Sequence, residues 1–262
     1  METPYNNSKL ITQMDTFIVP QWIFEDVIHF YPNIEEHIIS ETNENIIFNI
    51  DYKKEFIQLR KQIYWLCQWY DELINKNIPT IDSIIMTYDE FNEIDSDDEK
   101  FIRLCNASPK DIKLPIFNLL DKEDINKTLL TSNRTKYMFN NKYHKPHVVL
   151  RDIVNIDYEV RCFWHKYKLR AISGPINYVD VDTQHKIKQL VLQFFNNHGK
   201  KIIYNSVTID IGICKDNVFI IEFNSFGIDM IASAEYFDWF EDFNILYNSI
   251  EPIFKFKNEF EF

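Results

Sequence analysis

The chain has 262 residues, 45% of them hydrophobic and 16% aromatic, with a formal net charge of −12. That length and apolar content support one large domain or two lobes sharing a core, and they exclude global disorder. An acidic chain without a long basic run lacks the means to neutralise duplex phosphates, so no direct nucleic-acid partner is expected.

Residues 1–50 show short apolar pieces, Phe17-Ile-Val-Pro20 and Trp22-Ile-Phe24, punctuated by Pro20 and Pro32, and no visible chemistry. From 53 to 75, Phe56, Leu59, Ile63, Leu66, Tyr70 and Leu73 recur at helical spacing and predict one long amphipathic core helix. Ile81 to Tyr88 reads as a strand, and the acid-rich run from Asp89 to Lys100 as a solvated loop. Phe101 to Leu104 is a short strand, broken at Asn106-Ala-Ser-Pro109 because proline restricts the residue before it. Arg103 on that strand and Lys110 after the turn could grip phosphates, Arg by a forked contact and Lys as a point charge, although isolated surface cations usually do nothing. A helix is expected from Asp121 to Leu130, capped by Asp121. His144-Lys-Pro-His147 has a metal-like look, but the proline spoils helical presentation of the pair.

Strands follow at His147–Ile153, Tyr158–His165 and Lys168–Ser173, the last two joined by a turn at Lys166-Tyr167. Glu159 and Arg161 share a face and read either as a structural ion pair or as a nucleotide contact. Thr183 to His198 is a helix ended by Gly199. Ile228 to Tyr247 supplies aromatic packing, and the alternating run from Phe254 to Phe262 resembles an edge strand or tail.

The most informative stretch is 207–227, two strands around Lys215-Asp216-Asn217. Period-two alternation places Val207, Ile209, Ile211 and Ile213 on one face, matched by Phe219, Ile221 and Phe223. A three-residue turn would set Cys214 opposite Val218, Gly212 opposite Ile220, and Asp210 opposite Glu222. Two facing carboxylates destabilise a sheet unless a counter-charge intervenes. Asp210, Glu222 and Asn224 form a hard-oxygen set suited to Mg2+, which keeps waters and substrate phosphates as its other ligands. The competing reading is a solvated polar face relieved by a lysine or by water.

Other counts narrow the field. Four glycines, Gly174, Gly199, Gly212 and Gly227, cannot be arranged as GxxxxGK[ST] or GxGxxG, so a P-loop and the usual dinucleotide fingerprint are out. Cys67, Cys105, Cys162 and Cys214 make no CxxC pair and suit buried thiols in a reducing compartment. There is no basic segment followed by an apolar run at the N-terminus and no stretch of 18 apolar residues. The expectation is therefore a cytoplasmic protein without a membrane partner.

Three stretches in order then acquire a shared meaning. Phe101-Ile-Arg-Leu-Cys-Asn-Ala-Ser-Pro-Lys-Asp111 resembles the strand and S-P-K-D turn of the cell division cycle protein 123 family of the ATP-grasp fold. Val148-Val-Leu-Arg151, Tyr158-Glu-Val-Arg-Cys-Phe163 and Leu169-Arg-Ala-Ile-Ser173 resemble its V-L-R and E-F-R-C-F segments, and 207–227 its metal-binding hairpin. The similarity covers about residues 100–240. Arg103 stands where the family usually has a lysine, Glu222 where it has aspartate, and Ser225 where it has proline. Glu-x-Asn is nearer the general ATP-grasp pattern and small bacterial and phage members.

The resemblance implies an α+β ATP-grasp fold of two lobes with ATP between them. Residues 1–145 would form the N-terminal region and lobe, and 146–262 the C-terminal lobe with the metal-binding hairpin. Arg103 and Lys110 would approach phosphates, with Ser108 in the same nucleotide-binding turn. Arg151 and Asp152 would sit at the adenine hinge, contacting by backbone, and Arg161 would reach phosphate or ribose. Asp210, Glu222 and Asn224 would hold Mg2+. The family role implied is ATP-dependent assembly of eukaryotic translation initiation factor 2 through its gamma subunit. The alternatives are a carboxylate–amine ligase acting through an acyl phosphate, and a binding module with a dead site.

Overall fold

The computed structural model describes residues 16–140, 145–227 and 233–257. His144, residues 228–232 of the expected aromatic segment and the end of the expected C-terminal strand lie outside these. The chain divides into two compact units, one ending at Ile63 and the other starting at Tyr64.

The first unit is a small sheet with helices. Strands β1 (Thr16–Pro20), β2 (Ile38–Glu41) and β3 (Asn45–Asn49) pair antiparallel in the order β1-β3-β2. Helices α1 (Gln21–Phe30) and α2 (Lys53–Gln62) accompany them. Phe48 is fully buried, stacked on Phe17 at 5.3 Å between ring centres and close to Phe24 and Phe56.

The single helix expected over 53–75 is two. α2 stops at Gln62 and α3 spans Leu66–Asn75. Trp65 is extended, and the Leu66 N–H donates to the Cys105 carbonyl at 3.0 Å instead of to a preceding turn. A tertiary hydrogen bond here overrides a helical pattern that is continuous in sequence.

The second unit carries two sheets. Strands β4 (Ser83–Thr87), β5 (Glu99–Leu104), β6 (Ile116–Asn118) and β7 (His147–Arg151) form an antiparallel sheet in the order β4-β7-β5-β6. One face carries Ile102, Leu104, Val148 and Leu150, buried against Phe91, Ile125, Leu129 and Met138. Those four come from α4 (Tyr88–Glu93), α5 (Lys122–Thr131) and α6 (Lys136–Phe139). α4 replaces the start of the expected acidic loop. A capping box, Thr87 with Glu90, satisfies its first N–H groups, and Phe91 anchors it. Asp121 stands at the cap position of α5 but makes no side-chain cap bond. The expected lobe boundary at 145/146 falls just before β7, which lies inside this sheet.

The second sheet has the order β11-β10-β8-β9-β12. It comprises β8 (Tyr158–His165), β9 (Lys168–Ser173), β10 (Ser206–Cys214), β11 (Asn217–Asn224) and β12 (Ile253–Lys255). Only β12 is parallel to its neighbour, β9, at the edge. Lys166 and Tyr167 both take positive φ, as a two-residue hairpin turn requires. Helix α7 (Val181–His198) buries Ile187, Val191, Phe194 and Phe195, with Phe195 stacked on Trp164, and Asp180 caps it through the Thr183 N–H. The opposite face of the sheet carries Phe163 and His165, covered by Phe226, Phe237, Trp239 and Tyr247. Tyr247 belongs to the short α8 (Phe243–Asn248).

Candidate functional site

The 207–227 hairpin has the expected facing carboxylates but reaches them by another route. Its turn is two residues, Lys215 and Asp216, with Lys215 at φ 57. Cys214 therefore pairs with Asn217 and Gly212 with Phe219, correcting the three-residue turn. An irregularity between Asp210 and Ile211 leaves Ile221 without a partner, and from there Asp210 faces Glu222 and Ile209 faces Phe223. The bulge also changes faces: Ile220 takes the apolar face with Ile211, while Phe219 joins the face of Asp210. The Phe219 ring lies so close over Gly212 that a Cβ there would sit 2.4 Å from its Cε2.

Asp210 is 2% exposed. Its cross-strand neighbour on β8 is Arg161. The guanidinium grips both carboxylate oxygens, Nε to Oδ1 at 2.7 Å and Nη2 to Oδ2 at 2.8 Å. Asn224 Nδ2 adds a bond to Oδ2 at 2.9 Å. The remaining Arg161 nitrogen donates to the Ser233 carbonyl and to Glu235 Oε1 at 2.8 Å. Arg161 thus pairs with Asp210 and Glu235, not with Glu159 as one reading expected. Burial pushes the Asp210 carboxyl up against the pull of Arg161.

The other carboxylate is held from the other sheet. Arg103, 7% exposed on β5, donates Nη1 to Glu222 Oε2 at 2.6 Å and Nε to the Leu104 carbonyl. Burial would raise Glu222, but Arg103, Lys110 and Arg151 outweigh it and bring the carboxyl down to about 2. The facing acids are therefore relieved by two arginines, a solution that the sequence reading had assigned to a cation, a lysine or water.

Arg151 completes the cluster. Strand pairing puts Phe101 opposite Arg151 and Arg103 opposite Val149, so both arginines project from one face of the four-stranded sheet, away from its apolar core. Arg151 is 3% exposed, and its Nε and Nη2 have no hydrogen-bond partner among the described residues. Burial, then repulsion from Arg103, lowers its pKa to about 10. Lys110 is exposed, 5.9 Å from the Phe101 ring centre, and helps pull the Glu222 carboxyl down, whereas burial and Asp210 push the Glu159 carboxyl up against its pull. Its turn is closed by Leu104 N–H to the Ala107 carbonyl, with Ser108 buried. Asp111 fastens the far side by accepting from Ser132 and the Asn133 N–H.

Asp152 stands apart. Its N–H donates to the Asp82 carbonyl and its side chain pairs with Lys100 at 2.7 Å. The cluster thus brings together Arg103, Lys110, Arg151, Arg161, Asp210, Glu222 and Asn224. Glu235 and Glu159 belong with it too. Glu235 lies on an irregular segment that gives no periodic signal.

The donors suit a hard cation only in part. Among the described residues Glu222 Oε1 and Asn224 Oδ1 take no protein hydrogen bond, so two oxygens of different groups are available. Asp210 has both oxygens engaged but retains lone-pair capacity. No cluster of three or more His, Cys, Asp or Glu side chains suited to a metal occurs among the described residues, so the cation would need Asn224 and ligand oxygens. The unpartnered guanidinium of Arg151 fits the anion that would accompany such a cation.

Two sheets enclosing this arginine–carboxylate cleft define the α+β ATP-grasp fold. No family model matches the chain. A CDC123-like protein of Acanthamoeba polyphaga mimivirus is 28% identical over 309 residues, spanning 93% of this chain and 94% of its own length. Cdc123 from Schizosaccharomyces pombe superposes with a TM-score of 0.59 at 15% identity, over 76% of this chain and 97% of that one. Its C-terminally truncated form gives 0.60 with the same identity and coverage. The chain is thus similar to CDC123-like proteins in sequence and shares the fold of Cdc123.

Proposed function

We infer that this protein binds ATP with Mg2+ in the cleft between its two sheets and acts as an ATP-dependent assembly factor. The observation that carries the nucleotide reading is Arg151, a buried cation with two unpartnered N–H groups beside Arg103 and facing the Glu222 carboxylate. Arg103, Arg151 and Lys110 would hold phosphate oxygens, with Ser108 in the supporting turn. Glu222, Asn224 and Asp210 would hold the cation, which when bound neutralises phosphate charge. Arg161 orients Asp210 by gripping both of its oxygens. The Asp152 N–H is already engaged, so any hinge contact falls to other backbone groups.

The assembly role, with the gamma subunit of eukaryotic translation initiation factor 2 as partner, rests on the similarity to CDC123-like proteins. Among the described residues no helix is long and apolar enough to cross a membrane, and the four cysteines are free thiols. Both suit the cytoplasm, where that partner works.

A second reading, ATP-dependent carboxylate–amine ligation, is favoured by one feature. An open cavity of about 600 Å3, lined by Glu159, Tyr158, Pro175, Tyr178 and Asp180, adjoins the cluster through Glu159 and would admit a second substrate.

The test is thermal stability with and without ATP, each with and without Mg2+, for wild type and Asn224→Ala. A ligand that binds only the native state raises the midpoint. An ATP shift, enlarged by Mg2+ and less enlarged in the variant, is expected. No shift in wild type leaves a binding module with a dead site. ADP and phosphate release that requires both an added acid and an added amine would select the ligase. Co-purification with the gamma subunit would select the assembly factor.

A further inference from the structure

The three arginines of the cleft are not equivalent. Arg161 uses every nitrogen, bonding Asp210, Glu235 and the Ser233 carbonyl. Arg103 has one carboxylate oxygen and one carbonyl. Arg151 is as buried as either, and its Nε and Nη2 donate to nothing among the described residues. A buried donor without an acceptor is costly and persists where a ligand completes it. A structural strut would use those nitrogens; an anion receptor keeps them open.

We propose that the Arg151 side chain captures the polyphosphate of the nucleotide, and that the Arg103–Glu222 ion pair is a latch released by that capture, so that a divalent cation reaches Glu222 only after the anion has entered. This rests on reading the cleft as a nucleotide site. Arg151 and Arg103 project from adjacent strands on one face, so a polyphosphate lying across β7 and β5 meets both. A guanidinium prefers a multiply charged, bidentate phosphate to one carboxylate oxygen. Once Arg103 turns to phosphate, Glu222 is left with Oε2 free beside the already free Oε1.

Of the two carboxylates, Glu222 is the one built to move. Its side chain is 30% exposed and held by one contact, whereas the Asp210 side chain is 3% exposed and held by a fork and an amide. Cation entry without an anion would have to compete with Arg103 for Glu222 directly. The latch therefore makes the metal-free nucleotide the first ligand.

Two titrations on the full chain test this. The first follows ATP binding calorimetrically in excess EDTA, with no divalent metal. Arg151→Met should weaken it at least about tenfold, and Arg151→Lys should recover part of the loss. The second follows Mn2+ alone through the electron-spin-resonance signal of the free ion. Arg103→Met should tighten Mn2+ binding at least about tenfold, because Glu222 is no longer engaged, and by more than Arg151→Met, which removes a neighbouring charge without freeing Glu222. Wild-type affinity of Arg151→Met for metal-free ATP, or unchanged or weaker Mn2+ binding by Arg103→Met, would overturn the proposal while leaving the nucleotide reading standing. Failure of wild type to bind ATP with or without metal would overturn that reading itself.

Discussion

The cleft contains two ion pairs of the same chemistry and different architecture. Asp210–Arg161 lies within one sheet, between directly opposed residues of β10 and β8. Glu222–Arg103 spans two sheets, joining β11 to β5 across 119 residues of chain. The first is fixed by a ladder whose backbone bonds hold register whatever the side chains do. The second exists only while the sheets keep their spacing, and it is the more exposed. One pair is therefore a fixture of the fold, and the other is placed to respond to a ligand.

Breaking the fixed pair should have the largest effect. Asp210→Ala removes the forked pair and leaves Arg161 with Glu235 and the Ser233 carbonyl as its remaining partners, and should cost about 3 kcal/mol in urea unfolding, at the low end for breaking a buried pair. Equal loss from Glu222→Ala would erase the distinction between the pairs. Gly212→Ala attacks the same strand through packing. Its Cβ meets the buried Phe219 ring, and a loss of about 1–3 kcal/mol is expected, with Phe219→Leu in the same chain restoring part of it. Glu222→Gln should cost only about 1 kcal/mol, since the half-open carboxylate is replaced by another acceptor for Arg103. A double-mutant cycle on each pair would give the larger coupling energy for Asp210–Arg161.

Acid sharpens the comparison further. The Glu222 carboxyl is lowered in the fold from its ordinary 4.5 to about 2. The unfolded chain thus takes up the proton first, so the contribution of Glu222 is full above about 4.5 and is lost as pH falls toward 2. Unfolding midpoints of wild type and Glu222→Gln should accordingly converge as pH falls from about 4.5 to about 2. This is the smallest effect, because partial exposure screens the pair. Midpoints that diverge on acidification would show that the pair does not stabilise the fold.

Much of the cleft was legible before any coordinates. β8, β9 and the 210–222 facing pair follow from alternation, because a sheet residue's face is a matter of parity. Asp210 opposite Glu222 survived an error in turn length only because the bulge at Ile221 restored the register. Phe219 was assigned to the wrong face for the same reason: a bulge inverts parity and leaves little compositional trace. The break between α2 and α3 was hidden because the Leu66–Cys105 bond that makes it is tertiary. The helix at 88–93 was hidden by acidic composition, although Thr87 and Glu90 stood at capping-box spacing.

What the sequence determined by itself was local: which residues alternate, which strands pair as hairpins, and which acids and cations lie near turns. It also carried the resemblance to CDC123 proteins, since motif order is a property of the chain. Only the tertiary structure decided which arginine meets which carboxylate, and that Arg151 pairs with none among the described residues. Charge pairing across two sheets depends on their separation and on competition among several nearby partners, and neither is encoded at any fixed spacing along the chain.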